Sequence, residues 1–236
     1  MPPGRRVHNV EDMETLQSAP APVTASSRTD RWYRESVPSF VRASVIAVVG
    51  AAGLGALTGF DQQHLPSEVN SLSNSVGGWT MFCFLLVWAG RSRPLLGAIL
   101  GAVAFVLLTE TYTLVSGWRG YDDGAHFTSV WTVAGLAAGP LLGASASLLR
   151  HGSPLWRALS VTPLSAVLLG EGIWALNTIA DTTSPVYWSL EISFSVLVVL
   201  AALLRGRLDQ RASSLVVSVW LAGTLAYVGV CVGVLN

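Results

Sequence analysis

The sequence predicts an all-α membrane protein of seven transmembrane helices, with its N-terminus cytoplasmic and its C-terminus outside. Three observations carry that prediction. The 236-residue chain is 51% hydrophobic and only 12% charged, with a mean hydropathy of +0.53. That balance suits a polytopic membrane protein rather than a water-soluble domain. Its apolar residues fall into seven runs, most of them near the ~20 residues that a bilayer-crossing helix requires. Finally, its 14 basic residues are all arginine, and they gather in alternate connections between the runs.

Residues 1–36 are polar, mixing Pro, Ser, Thr, Arg and acids. No apolar segment follows Arg5-Arg6, so a signal peptide is not indicated. These residues read as a disordered cytoplasmic tail, and 37–236 as the transmembrane domain. The first span runs from about Phe40 to Phe60, with Gly55 and Gly59 spaced for close helix contact. A polar loop, 61–74, leads to a short aromatic second span, about Val76 to Gly90, with Trp79, Phe82, Phe84 and Trp88. Arg91-Ser92-Arg93-Pro94 reads as a tight basic turn with Pro94 opening the next helix.

The third span, about Leu95 to Ser116, carries Glu110 and Tyr112, and a loop with Trp118, Arg119, Asp122, Asp123 and His126 follows. In the fourth, about Phe127 to Leu149, glycine recurs at 135, 139 and 143, a smooth face for another helix, and Pro140 is a candidate kink. The fifth, about Leu155 to Ile179, includes Pro163, Glu171 and Trp174. The sixth, about Val186 to Leu204, includes Trp188 and Glu191; the seventh, about Ser214 to Leu235, includes Tyr227. Cys83 and Cys231 both fall in apolar runs and read as small core residues rather than a disulfide framework.

With the N-terminus inside, the tail and the connections after spans two, four and six are inside, and they hold every arginine but Arg119. The positive-inside rule therefore gives N-in, C-out in the cell membrane. This excludes the seven-helix receptors with an outside N-terminus, and the absence of lysine excludes a retinal Schiff base.

Orientation converts position into depth. At ~1.5 Å per residue, Glu110 and Glu171 lie ~7 Å outward of the midplane and Glu191 ~6 Å. Intramembrane acids usually face a bundle interior and act there, although each singly could serve only as a hydrogen-bonding group. Helical spacing puts Trp174 and Thr178 on the face of Glu171, and Tyr187 and Trp188 on that of Glu191. The expectation is one cavity in the outer half holding Glu171, Glu191 and Glu110, walled by some of Trp79, Trp131, Trp174, Trp188 and Tyr227. Some of those aromatics could instead form an interfacial belt. The glycines flanking Glu171 would let a substrate approach closely. Glu171→Gln would then remove a proton and leave membrane insertion unchanged.

No His/Cys/carboxylate spacing suggests a metal, no glycine loop suggests a nucleotide cofactor, and nothing suggests nucleic-acid binding. Asp122-Asp123 is a single acidic pair, where magnesium-dependent prenyltransferases need two acid-rich motifs. Acid plus aromatics remains. A carboxyl in an apolar site can keep its proton for donation, and aromatic faces stabilise cations. That combination suits metal-free, protonation-initiated cyclisation of a lipophilic prenylated small molecule arriving from the membrane lipid.

Seven spans in so short a chain, with isolated membrane acids and many aromatics, resemble the small integral membrane terpene cyclases of actinobacterial drimentine-type and fungal meroterpenoid pathways. The resemblance covers roughly Phe40 to Asn236 and implies a secondary-metabolite cyclase; no residue role is taken from it. The runs Gly170-Glu171 and Leu190-Glu191 also resemble an uncharacterised family of small actinobacterial membrane proteins. Two further functions fit the same residues: a proton-coupled transporter or permease subunit, and a non-catalytic accessory membrane protein. Oligomeric state is open.

Overall fold

The computed structural model describes residues 35–61, 64–121 and 126–235. The tail read over 1–36 lies outside them but for its last two residues, as does the Asp122-Asp123 pair. Among the described residues every regular element is helical: α1 (Val37–Asp61), a 3₁₀ turn (Asn70–Asn74), α2 (Val76–Gly90), α3 (Pro94–Trp118), α4 (Val130–His151), α5 (Pro154–Ser160), α6 (Thr162–Thr178), α7 (Pro185–Gly206) and α8 (Gln210–Leu235). Six segments are long and apolar enough to cross a membrane, α5 and α6 together forming one of 25 residues. The remaining helix, α2, has 15 residues.

The expected fifth span is broken at Val161. Pro163 cannot donate a ladder hydrogen bond, so the helix restarts with it in its first turn, where no donor is needed. The interruption is sealed locally by hydroxyls: Ser160 Oγ donates to Arg157 O at 2.7 Å, and Thr162 Oγ1 to Leu159 O at 2.8 Å. Pro140, by contrast, sits within α4 and the α-helix continues through it.

Residue size is sorted in the opposite sense to a water-soluble bundle. On α1, Ala43, Ala47, Ala51, Gly55 and Gly59 are buried at four-residue spacing, while Val41, Val45, Val48 and Leu57 are exposed. Water would penalise that arrangement; lipid does not, and small residues let helices approach until their backbones touch. The glycines of α4 do so. A Cβ on Gly139 would stand 2.6 Å from Gly101 O and 2.7 Å from Ala102 Cα on α3, and Gly143 meets Gly97 O even more closely. Gly55 and Gly59 likewise receive α3, against Leu108 and Tyr112 carbonyls and Val115.

Helices α1–α4 and α5–α8 form two halves, and α2 joins them, packing on α1, α3, α4 and also on α6. Its C-terminus ends in a left-handed residue, Arg91 (φ 59°). There Arg42 Nη2 donates to Gly90 O at 3.4 Å and Arg150 Nη2 to Trp88 O at 3.2 Å. The Arg150 guanidinium also lies 4.5 Å from the Trp88 ring centre. Of the described arginines, only Arg119 belongs to the opposite end of the bundle; it donates to Gly59 O at 2.5 Å and to Phe60 O at 2.9 Å.

The α3–α4 contact makes a stability prediction. Gly139→Ala should lower the thermal unfolding midpoint in detergent, by the equivalent of about 1–3 kcal/mol for an overpacked contact. Gly53→Ala on α1, where nothing lies within 4 Å of an added Cβ, should not lower the midpoint and should raise it slightly, since alanine favours the helix.

Candidate functional site

The site begins with a helix end that is largely buried, at Ser75, Gly77 and Gly78. Helix α2 starts inside the bundle, so its first N–H groups need partners from the protein. Ser75 is the N-cap, and its Oγ accepts from Gly78 N at 2.8 Å. The two N–H groups before that are taken by Glu171 of α6: Oε1 accepts from Val76 N at 2.9 Å, and Oε2 accepts from Gly77 N. A carboxylate is an acceptor-only group, and the N-terminus of a helix is where its charge is best held. Both carboxylate oxygens are occupied, and all three N–H groups of the first turn are satisfied.

Glu191 of α7 lies beside this pair. A Cβ on Gly77 would collide with Glu191 Oε1 and stand 2.8 Å from Glu171 Oε2, so the two carboxyl groups flank one methyl-sized gap. Only glycine permits that approach. Tyr187 OH donates to Glu191 Oε1 at 2.7 Å, across the one turn that the sequence spacing indicates. The phenol and Ser75 Oγ are 2.5 Å apart, so a continuous chain of hydroxyls links the cap of α2 to Glu191. Glu191 Oε2 is buried and has no partner.

A cavity of about 330 Å³ opens next to the cap, and its lining includes Glu171, Trp79, Trp131, Trp174, Trp188 and Tyr227 with Asn74, Val76 and Ile179. The five aromatics named from the sequence therefore surround one space together with one of the three acids. Trp79 meets Trp131 edge-on with ring centres 6.5 Å apart and tilts against Tyr112 at 5.2 Å. Trp188 Nε1 donates to Thr183 Oγ1 at 2.9 Å, while Trp79 Nε1 and Trp174 Nε1 are buried without an acceptor. A second recess of about 410 Å³, lined by Asn70, Ser71, Tyr121 and Thr183, shares Asn74, Ile179 and Trp188 with the first.

Three expectations are revised. Glu110 does not line that cavity. Its Oε1 accepts from Phe127 N at 2.9 Å and from Thr132 Oγ1 at 2.6 Å, and its Oε2 lies 3.1 Å from His126 Nδ1. It clasps the start of α4 to α3, and its basic partner comes from a loop. The glycines flanking Glu171 are filled by helices rather than open: Gly170 faces Thr224 O and Tyr227, and Gly172 faces Trp188 O and Ile192. Thr178 is exposed instead of sharing the space with Glu171.

Sequence reasoning did not single out Ser75, Gly77 or Asn74. A signal was present for the first two. Ser75 directly before an apolar run is an N-cap pattern, and Gly77-Gly78 in a helix's first turn marks a close approach.

The fold and the site define a class: a helical protein with six segments able to cross a membrane, built around an acid–aromatic cavity at the start of a short seventh helix. Within that class the chain belongs to DUF6518, described as a family of unknown function, whose profile matches residues 34–234. No curated protein and no solved structure matches it.

The capping geometry changes what Glu171→Gln should do. A carboxamide presents an NH₂ to one of two buried N–H groups, so the variant should lose about 1–3 kcal/mol of stability. Its unfolding midpoint in detergent, read beside that of Glu191→Gln, measures this; an unchanged midpoint for Glu171→Gln would contradict the cap.

Proposed function

We propose that the protein is an integral membrane terpene cyclase that acts, by protonation, on a farnesylated or other prenylated small molecule. The observation that carries this reading is the gathering of Glu171 and five aromatic side chains around one 330 Å³ cavity, with a second carboxyl, Glu191, across Gly77. The acid roles differ from those expected of three equivalent glutamates. Glu191 holds the proton, since one of its oxygens has no donor directed at it. Glu191 passes that proton across the Gly77 gap to Glu171, which faces the cavity and delivers it to a carbon–carbon double bond. The two backbone N–H groups then stabilise the carboxylate left behind, which makes Glu171 a more capable donor than an isolated buried acid. The resulting carbocation is stabilised by the indole faces. Ring closure consumes further double bonds, and loss of a proton from carbon returns it through Glu171 to Glu191. Substrate and product are therefore isomers. Glu110 positions the α3–α4 connection and takes no part.

The assay is conversion of neutral prenylated candidates to isomers of identical mass in membranes containing the protein. Glu191→Gln should reduce turnover by roughly 10²-fold or more, the usual share of general-acid catalysis, while Glu110→Gln stays within a few-fold of wild type. Full turnover by a folded Glu171→Gln/Glu191→Gln variant would exclude these acids as the proton source.

A second reading, proton-coupled transport, is favoured by one observation: the acid pair lies where the two helical halves meet, held by α2, α6 and α7. Transporters place coupling groups at such a seam. Uptake of an unaltered solute into sealed vesicles, driven by a proton gradient and lost in Glu191→Gln, would select it over cyclisation.

Both readings use an N-in, C-out orientation. Eight of the nine described arginines at one end of the bundle support it. A reporter fused after Asn236 should read outside and one at Arg93 inside; the reverse pair would turn the cavity toward the cytoplasm.

A further inference from the structure

A cleft between the end of α4, α5 and the second half of α7 shares no residue with the acid–aromatic cavity, and the functions proposed above do not use it. Its volume is about 460 Å³. Leu149, Val161, Val198 and Ala202 give it apolar walls, and two guanidinium groups, Arg157 and Arg205, complete the lining. The break at Val161 separates α5 from α6, and small residues, Ala158, Ala201 and Gly206, keep the space open. Both arginines are exposed, and neither forms an ion pair among the described residues. Arg157 donates one long hydrogen bond, to Arg150 O at 3.4 Å. The acid nearest in sequence to Arg205, Asp209, is directed to Ala212 N at 2.9 Å as the cap of α8.

We infer that this cleft binds one anionic glycerophospholipid, its phosphate between Arg157 and Arg205 and one acyl chain along the Leu149–Val198 wall. The charge and the surface are complementary to such a molecule. An apolar cleft facing the hydrocarbon fills with acyl chain, whatever the lipid. Two unneutralised guanidinium groups at its rim, at the arginine-bearing end of the bundle, select a head group with net negative charge. Arginine also suits phosphate geometrically, because its planar fork offers parallel donors to two oxygens. A zwitterionic lipid would bring its own cation to that rim.

The test uses the full-length protein in mixed vesicles of phosphatidylglycerol and phosphatidylcholine in equal amounts, followed by native mass spectrometry of the released protein. Wild type should retain phosphatidylglycerol over phosphatidylcholine. Arg157→Gln/Arg205→Gln should reduce that preference by roughly tenfold or more, the size expected for two guanidinium contacts with anionic lipid. Arg211→Gln, at the same end but outside the cleft, should preserve it. Ala202→Phe, which fills the cleft and keeps both arginines, should also lose the bound lipid, so the inference does not depend on the double variant folding. Equal retention of the two lipids, or preference surviving in both the double variant and Ala202→Phe, would overturn the proposal. Displacement of the lipid by inorganic phosphate alone would overturn the acyl-chain part, because the phosphate would then account for all of the binding.

Discussion

The structure depends on how the first turn of α2 is satisfied. A helix that begins in water can leave its first N–H groups to the solvent; one that begins inside an apolar bundle cannot, because each unpaired donor there is a substantial penalty. Here Ser75 and Glu171 take the three groups concerned. The carboxylate comes from the other half of the molecule, so the bond that completes α2 is also a bond between the halves. At the opposite end of the helix, Arg42 and Arg150 meet the carbonyls of Gly90 and Trp88. Negative charge at the N-terminus and positive charge at the C-terminus is the arrangement that complements a helix dipole, and α2 has both ends treated in this way.

The same geometry explains why two acids can share a buried region. Glu171 is compensated by backbone donors and leaves Glu191 to be held by a phenol from its own helix. Gly77 keeps the two apart by the width of a missing side chain. The third of these acids, Glu110, is matched by His126 and by the N–H of Phe127, whose positive φ of 58° turns its backbone toward the carboxylate. Each intramembrane glutamate thus answers a particular set of donors, and the three sets are unlike one another.

Much of the fold was legible because its signals are local. Hydropathy delimited the helices, and α2 begins and ends where its apolar run does. The glycines of α4 announced a tight helix contact, although not that Gly97 and Gly101 of α3 would supply the other side. The break at Val161 was less visible: Pro163 within an apolar run is compatible with either a kink or a restart, and the choice rests on Ser160 and Thr162 bonding to nearby carbonyls. In the site, Glu171 and the aromatic candidates were legible from depth together with helical spacing, since residues at one depth in a small bundle have few places to go. Depth does not give azimuth. Glu110 has the depth of Glu171 but points toward the loop before α4, and no single-helix pattern encodes which neighbour a face will meet. The partner of Glu171 was hidden for another reason. Backbone N–H groups leave no mark in a sequence, and only Ser75 and the paired glycines after it hint at them.

The length of α2 bears on how the molecule is made. Fifteen residues span about 22 Å, short of the ~30 Å hydrocarbon core, and the 3₁₀ turn before it leads the chain to its buried start. During synthesis α2 reaches the bilayer well before the acceptor for Val76 N exists, because Glu171 lies 95 residues later in the chain. Until α6 emerges, the start of α2 is an open hydrogen-bonding end in a medium that cannot satisfy it. The first four helices therefore hold the glycine contacts by themselves, while the acceptor that completes the start of α2 comes only with the second half.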